Sequence, residues 1–262
     1  MGAGLLMDHP ADRWHLQLHG VGNANAVELG SAMATIERNG RPWLTIDCGG
    51  EGLTACLEHY GAAPEALFVT HTHLDHVAGF ERLFVKSWFD PSRRGRVRLY
   101  VPAPVVALLH RRVADYPNVL AEGGVNFWDA FQLVPVGEAF WHGGVRLETF
   151  PVRHHWPDTS FGLRLPGSLV WTGDTRPIPE VLEVMAGQGE LVAHDCGLQG
   201  NPSHSGIDDL EREYPPSLLQ RCLFYHYASA EDGRVLEQRG YRVGRPGERV
   251  ELPPDRALRA RD

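Results

Sequence analysis

The segment THTHLDHVAGF places His71, His73, Asp75 and His76 within six consecutive positions. Side chains two apart in an extended segment point the same way, so His71 and His73 can grip one ion while Asp75 and His76 turn toward a neighbouring one. Imidazole and carboxylate without thiolate form a donor set for zinc, manganese or iron in open, water-bearing sites, unlike the closed thiolate-rich sites of structural zinc. Two ions about 3.5 to 4 Å apart can share a hydroxide, lower its pKa toward neutrality and polarise the bond it attacks. Similar residue types recur downstream. Five apolar runs end in a potential ligand: EALFVTH at His71, LETFPVRH at His154, SLVWTGD at Asp174, ELVAHD at Asp195 and RCLFYH at His226. A surface helix that happens to start His-rich would account for the first cluster but not for the later ones.

Such residues need rigid elements to converge on one edge, and strand ends are good platforms for that. Short apolar runs bounded by Gly, Pro or charge predict strands at Trp43 to Asp47, Ala66 to Thr70, Val97 to Val101, Val145 to Pro151, Phe161 to Leu165, Ser168 to Thr172, Leu191 to His194 and Arg221 to Tyr225. Helices are predicted at Leu53 to His59, Val77 to Phe84, Pro104 to Asp115, Pro179 to Met185 and Ala230 to Gln238. Strands interleaved with helices imply a layered α/β architecture. With no repeat, low-complexity tract or Ser/Gly linker, one domain over residues 1–252 is the simplest organisation. The segment 253–262, PPDRALRARD, is expected to be a flexible charged tail, introduced as it is by two prolines.

At 262 residues and 43% hydrophobic content the chain can bury a core. Its apolar runs stay far short of the roughly 18 residues needed to cross a bilayer, so the expectation is a soluble protein without a membrane partner. The start, MGAGLLMDHPADRW, lacks a basic n-region and a long apolar stretch, which argues against a secretory signal and for a cytoplasmic protein. Cys48, Cys56, Cys196 and Cys222 are too scattered for a disulfide framework and read as buried thiols. A formal charge of -8 disfavours broad attraction to nucleic acid. One basic run, DPSRRGRVR with Arg93, Arg94, Arg96 and Arg98, is either a phosphate-facing rim or, as we favour, a solvated turn.

The pattern His-x-His-x-Asp-His after an apolar strand resembles the metallo-β-lactamase superfamily. That resemblance implies an αββα sandwich with a dinuclear site at one edge and two divalent ions, Zn2+ first, with Mn2+ or Fe2+ as alternatives. It implies that His71, His73 and a third His hold the first ion, that Asp75, His76 and His226 hold the second, and that Asp174 bridges them. Two neighbours compete for the third His. The run FPVRH ends its strand on the ligand and favours His154, but the distance onward to Phe161 and Gly162 is one residue longer than the family pattern, which His155 would shorten. The loser of the pair becomes an outer or substrate-facing group.

The G-H-T-P-G-like turn of the thioester and β-lactam branches is missing. The segments DCGGEG, RVRLYVPAP, FPVRHHWPDTSFGLRL, TGDTRP and AHDCGLQGNPSHSG together are similar to the phosphodiesterase branch, which contains ribonuclease Z and phosphoribosyl cyclic phosphate phosphodiesterase. By that resemblance Asp195 and His204 form a pair in which the carboxylate orients an imidazole that protonates the leaving group, and Asp75 belongs to the same catalytic set. The plainer reading makes Asp195 a turn cap and His204 a loop residue. Ribonuclease Z carries a protruding arm between the third-His region and the bridging Asp. Here only eleven residues, Leu163 to Gly173, separate Gly162 from Asp174, enough for a tight hairpin around Pro166 and Gly167.

The missing arm and the acidic balance favour a small phosphodiester, cyclic nucleotide or cyclic sugar phosphate included, over a structured tRNA. The alternatives are a tRNA 3′-processing endonuclease that uses another surface, a lactone or thioester hydrolase on the same scaffold, and a metal-binding scaffold without turnover. Trp88, Phe89, Trp128, Trp141 and Trp156 could stack on a base, although core roles are expected for most of them. A homodimer is expected by resemblance alone.

Overall fold

Two β-sheets lie face to face in the computed structural model, which describes residues 12–114 and 124–260. The N-terminal segment through residue 11, Asp115 at the end of one expected helix, and the last two residues of the tail lie outside the described residues. The first sheet orders its seven strands β13-β1-β2-β3-β4-β5-β6, where β1 is Trp14–Gly20, β2 Met33–Arg38, β3 Arg41–Ile46, β4 Ala66–Phe68, β5 Val97–Pro102, β6 Phe131–Val136 and β13 Arg249–Glu251. The second has six in the order β12-β11-β10-β9-β8-β7, with β7 Ala139–His142, β8 Val145–Pro151, β9 Phe161–Leu165, β10 Leu169–Trp171, β11 Leu191–Asp195 and β12 Cys222–Tyr225.

Each sheet is half parallel. β3 to β6 run parallel in the first, and β10 to β12 in the second. Parallel strands are covered on both faces and so read as unbroken apolar runs such as ALF or LVW. All eight expected strands are present within a residue or two of their predicted ends. Those not anticipated are β1, β2, β6, β7 and β13, four of which pair antiparallel and mix polar residues among apolar ones, as in WHLQLHG.

The sheets meet through aromatic rings. Phe140 of β7 stacks on Tyr100 of β5 at 4.5 Å and on Phe68 of β4 at 6.0 Å. His142 Nε2 donates to the Trp43 carbonyl at 2.9 Å, which leaves Nδ1 to accept from the Tyr100 hydroxyl at 3.0 Å and fixes the neutral tautomer. The helices are α1 (Gly50–Tyr60), α2 (Leu74–Val77), α3 (Phe80–Trp88), α4 (Val106–Leu109), α5 (Pro179–Met185), α6 (Ile207–Glu213), α7 (Pro216–Leu219) and α8 (Ala230–Gln238). Together the sheets and helices form the expected layered α/β sandwich.

Two helices differ from expectation. The one expected over residues 77–84 is divided into α2 and α3 at Gly79, whose N–H donates to the Cys48 carbonyl at 2.8 Å. A Cβ at that position would lie 2.8 Å from the same oxygen, so only glycine allows the approach. The earlier start at Leu74 puts Asp75 and His76 in a first helical turn, with the His76 ring 4.1 Å from that of His71. The helix expected from Pro104 is a 3-10 turn, then α4, then a π turn over His110–Ala114.

Residues 253–260 of the expected tail make contacts with the rest of the fold. Trp14 Nε1 donates to Asp255 at 2.6 Å, Arg256 N to the Pro166 carbonyl at 2.6 Å, and Ala260 N to the Gly144 carbonyl at 2.8 Å. These contacts span both sheets. Among its charges, Arg259 pairs with Asp12 and Asp255.

The tight β9–β10 turn rests on a buried ion pair. Arg164 reaches Glu190 at 2.6 Å and Glu148 at 2.7 Å, and Glu190 also accepts from the backbone N–H groups of Gly167 and Gln188. Burial pushes the Glu190 pKa up, but the backbone donors and Arg164 outweigh it and hold it below the usual value. Glu190→Ala would leave Arg164 enclosed with half its partners, and is expected to destabilise the fold by about 3 kcal/mol at neutral pH. Because the folded-state pKa is depressed, this stabilisation is present above the ordinary Glu range and lost as pH falls through the folded value. Urea unfolding of both proteins at pH 7 and again below pH 4 checks this, the gap between them narrowing at the lower pH.

Candidate metal centre

Strand ends deliver the site. His71 follows β4, His154 follows β8, Asp174 follows β10, Asp195 closes β11 and His226 follows β12. His73 precedes α2, whose first turn carries Asp75 and His76. Asp174 is fully buried at the centre. One of its oxygens lies 3.3 Å from His76 Nε2, the other 3.2 Å from His226 Nε2, 3.6 Å from His71 Nε2 and 3.7 Å from His154 Nε2. Asp75 Oδ2 stands 3.3 Å from His226 Nε2 and 3.5 Å from His76 Nε2, while His73 Nδ1 is 3.1 Å from His154 Nε2.

Donor atoms bound to one tetrahedral ion at about 2.0 Å stand about 3.3 Å apart, the scale of these separations. Two groups of four result, His71, His73, His154 and Asp174 on one side and Asp75, His76, Asp174 and His226 on the other, with the donor atoms of each within 4.8 Å. Asp174 is common to both. His71 Nε2, His76 Nε2 and both Asp174 oxygens are buried without a hydrogen-bond partner, which protein interiors seldom tolerate. The side chains therefore fit a pair of cations. A third grouping, Asp195, His204 and His226, is already joined by hydrogen bonding, His204 Nδ1 donating to Asp195 Oδ2 at 2.8 Å.

The outer nitrogens are held so that the inner ones face the centre. His76 Nδ1 donates to Asp47 at 2.8 Å, His154 Nδ1 donates to the Ser203 carbonyl at 2.8 Å, and His226 Nδ1 lies 3.5 Å from Asp195 Oδ1. His73 is turned the other way, its Nε2 standing 3.1 Å from His155 Nε2. His155 is thus beside the cluster and exposed, whereas His154 is inside it. Asp195 and His204 meet as expected, and Asp195 additionally steadies His226 and accepts from Thr175 N at 3.0 Å.

Asp47 was not singled out from sequence as a site residue. It is fully buried, accepts from the Thr70 backbone and hydroxyl at 2.7 Å each, and sits at φ 63°, in the left-handed region. Its signal was present all the same: WLTID is another apolar run ending in an acid, at the head of DCGGEG. His226 shares the left-handed backbone, at φ 68°. Strain of this kind persists only where surrounding contacts demand it.

Left to themselves, these side chains divide the available protons. Burial pushes His226 down, but Asp174, Asp195 and Asp75 win and raise it to about 10, and His76 is raised in the same way by Asp174 and Asp47. Asp174 is held well below its usual range because its imidazole neighbours outweigh its burial. Burial keeps His71 and His154 neutral, the latter at about 4, with lone pairs free. A cation entering on the His76 and His226 side has their protons to displace, so its affinity rises with pH.

Residues 14–244 match the family model described as anti-Pycsar protein Apyc1. The chain belongs to that family. Relatives include the anti-Pycsar protein Apyc1 of Paenibacillus harenae, 25% identical over 91% of this chain and 100% of its own length. The ribonuclease Z of Mycobacterium sp. (strain KMS) is 27% identical over 79% of this chain and 74% of its own length. Among solved structures, the metallo-β-lactamase fold protein YhfI from Bacillus subtilis superposes with a TM-score of 0.71 at 13% identity, covering 92% of this chain and 100% of that one. The fold is the metallo-β-lactamase sandwich, and the chain is a metal-dependent phosphodiesterase.

The two neighbouring histidines can be separated by substitution. His154→Ala is expected to remove most of the bound metal on its side of Asp174, while His155→Ala leaves stoichiometry intact and weakens affinity by about tenfold through the loss of its contact with His73. Elemental analysis and chelator competition on both variants decide it, and the reverse pattern would make His155 the ligand.

Proposed function

We propose that the chain hydrolyses a small phosphodiester of nucleotide size, cyclic phosphates included, at two divalent ions held by His71, His73, His154, Asp75, His76, Asp174 and His226. The observation that carries this reading is the sharing of Asp174 by two donor groups inside a cavity of 540 Å³ that also contains Asp195 and His204. That volume suits a nucleotide-sized ligand. Uncharged side chains, Asn23, Asn25, Gln199 and Asn201, form part of its wall and can hydrogen-bond a sugar or base. The β9–β10 connection is a tight turn closed by Ser168 N to the Leu165 carbonyl at 2.9 Å, so no arm for a folded RNA emerges there.

Bound together, the ions would activate water as the nucleophile and neutralise the non-bridging phosphate oxygens. Nitrogen and carboxylate donors at tetrahedral spacing support zinc. The protein's own part lies with Asp195 and His204. Burial lowers the His204 pKa, yet the Asp195 hydrogen bond and the charges of Asp195 and Asp174 raise it overall, which favours the protonated ring. With Nδ1 given to Asp195, Nε2 is the atom left to protonate the departing oxygen. His226, stacked on His204 at 5.0 Å, limits where that ring can turn. Similarity to ribonuclease Z supports a second reading, 3′-processing of precursor tRNA without the arm. A homodimer is proposed from the resemblance and is checked by light scattering.

Metal-loaded protein is expected to hold two ions per chain and to lose all turnover on chelation, recovering it on re-addition. Loading that stops at one ion would defeat the dinuclear reading. A panel of cyclic nucleotides, cyclic sugar phosphates, a model phosphodiester, a lactone and a precursor tRNA then identifies the substrate class. Cleavage of the lactone or the tRNA alone would overturn the small-phosphodiester reading.

The role of His204 shows in the leaving group. An alkoxide needs a proton to depart, whereas a nitrophenolate does not. His204→Ala should slow an alkyl phosphodiester by about 10² to 10⁴-fold while largely sparing a nitrophenyl ester, with Asp195→Asn showing the same pattern more weakly. Equal losses on both substrates at normal metal content would assign His204 to binding or to the fold.

A further inference from the structure

The basic run DPSRRGRVR divides in two in the folded protein. Arg93 donates to the Pro64 carbonyl at 2.6 Å, and Arg94 donates to the Trp88 carbonyl while stacking 4.2 Å over the Trp88 ring. These two are structural. Arg96 and Arg98 instead join Arg41 in lining a separate cavity of 570 Å³, with Trp43 and Tyr60 among its other walls.

This cavity is on the opposite edge of the first sheet from the metal centre. β3, β4 and β5 run parallel; Asp47 and His71 follow the ends of β3 and β4, whereas Arg41, Glu65 and Arg96 stand at or before the starts of β3, β4 and β5 and Arg98 is the second residue of β5. The six residues from Glu65 to His71 put the two regions about 20 Å apart.

Its charge is unbalanced. Among the described residues Arg41, Arg96 and Arg98 have no acidic partner; Arg98 contacts the neutral Gln132 side chain at 3.4 Å and lies beside Tyr100 and His142. The single carboxylate in the lining is Glu65, against three guanidinium groups. The other arginine nearby, Arg38, is already paired with Asp12 at 2.8 Å and donates to the Gly143 carbonyl. Pro42, Trp43, Ala63 and Pro64 give the remaining wall an apolar part, beside the polar Thr45, Tyr60 and His142.

We infer that this cavity is a second binding site, for a small phosphomonoester with a flat apolar body, of nucleoside monophosphate size. A planar guanidinium matches a terminal phosphate in two-pronged fashion, and Arg41, Arg96 and Arg98 converge from different elements as such a clamp requires. An apolar floor with an aromatic edge takes the flat body. The volume greatly exceeds what inorganic phosphate needs. The site is independent of turnover at the metal centre.

The test is equilibrium dialysis of the full-length, metal-loaded protein against AMP, adenosine and inorganic phosphate, alongside turnover of a nitrophenyl phosphodiester. Arg41→Gln with Arg96→Gln alters exposed side chains without structural partners, so the fold and the basal kcat/KM are expected to stay unchanged. The double variant should lose about one equivalent of AMP binding per chain, weakened at least tenfold, while competitive inhibition of turnover by AMP is retained. Arg98→Gln should weaken the same equivalent by a smaller factor, and added salt should weaken it further. An AMP isotherm identical in wild type and double variant would overturn the site, because all binding would then belong to the metal centre. Phosphate binding as tightly as AMP would overturn the flat-bodied ligand.

Discussion

A carboxylate sealed from water and offered no hydrogen-bond donor is tolerable only beside positive charge, and Asp174 is in that position. Imidazoles reach it from β4, β8, β12 and α2, and the edges of both sheets close around it. Four carboxylates, Asp47, Asp75, Asp174 and Asp195, stand within or directly behind the imidazole cluster. Protons on His76 and His226 balance part of that charge, and a pair of cations would balance it more completely. The outer contacts from Asp47, Ser203 and Asp195 then become intelligible, because each holds a ring whose other nitrogen must face Asp174.

The same demand explains the irregular backbone. Regular strand geometry would carry the chain past the centre, so it turns sharply after β3 and after β12, with Asp47 and His226 both in left-handed conformation. His226 N donates to the Val21 carbonyl at 2.6 Å, one of the contacts that holds it there. At the α2–α3 break, Gly79 packs against Cys48, so the turn bearing Asp47 and the helix bearing His76 are locked as one unit.

Much of this arrangement was legible in the residues. Unbroken apolar runs marked the doubly covered parallel strands, and their endings in His or Asp marked the functional edge before any coordinate was known. Strands that alternate or carry polar residues inward were harder to see. In β1, His19 is buried because its Nε2 lies 2.8 Å from the Thr35 hydroxyl, a partner only the folded chain supplies. Whether His154 or His155 faces the centre could not follow from spacing, since it depends on Ser203, whose carbonyl holds one ring and whose hydroxyl lies 3.3 Å from the other. The contacts of residues 253–260 could not be read from sequence for a similar reason, since Asp12, Trp14 and Pro166 come beside them only in the folded chain.

The placement of ligands along the chain also sets an order in time. Everything that surrounds Asp174 on the His71 side has been synthesised once β10 is complete, but the opposite side waits for His226. The first sheet waits longer still, because β13 pairs with β1 across more than two hundred residues, His15 facing Glu251. Contacts so distant in sequence make for slow folding. During synthesis, therefore, the residues of the His71 group exist before the one that completes the other group. Only the return of the last strands closes the two sheets around Asp174, so the site takes its shape late in the history of the chain.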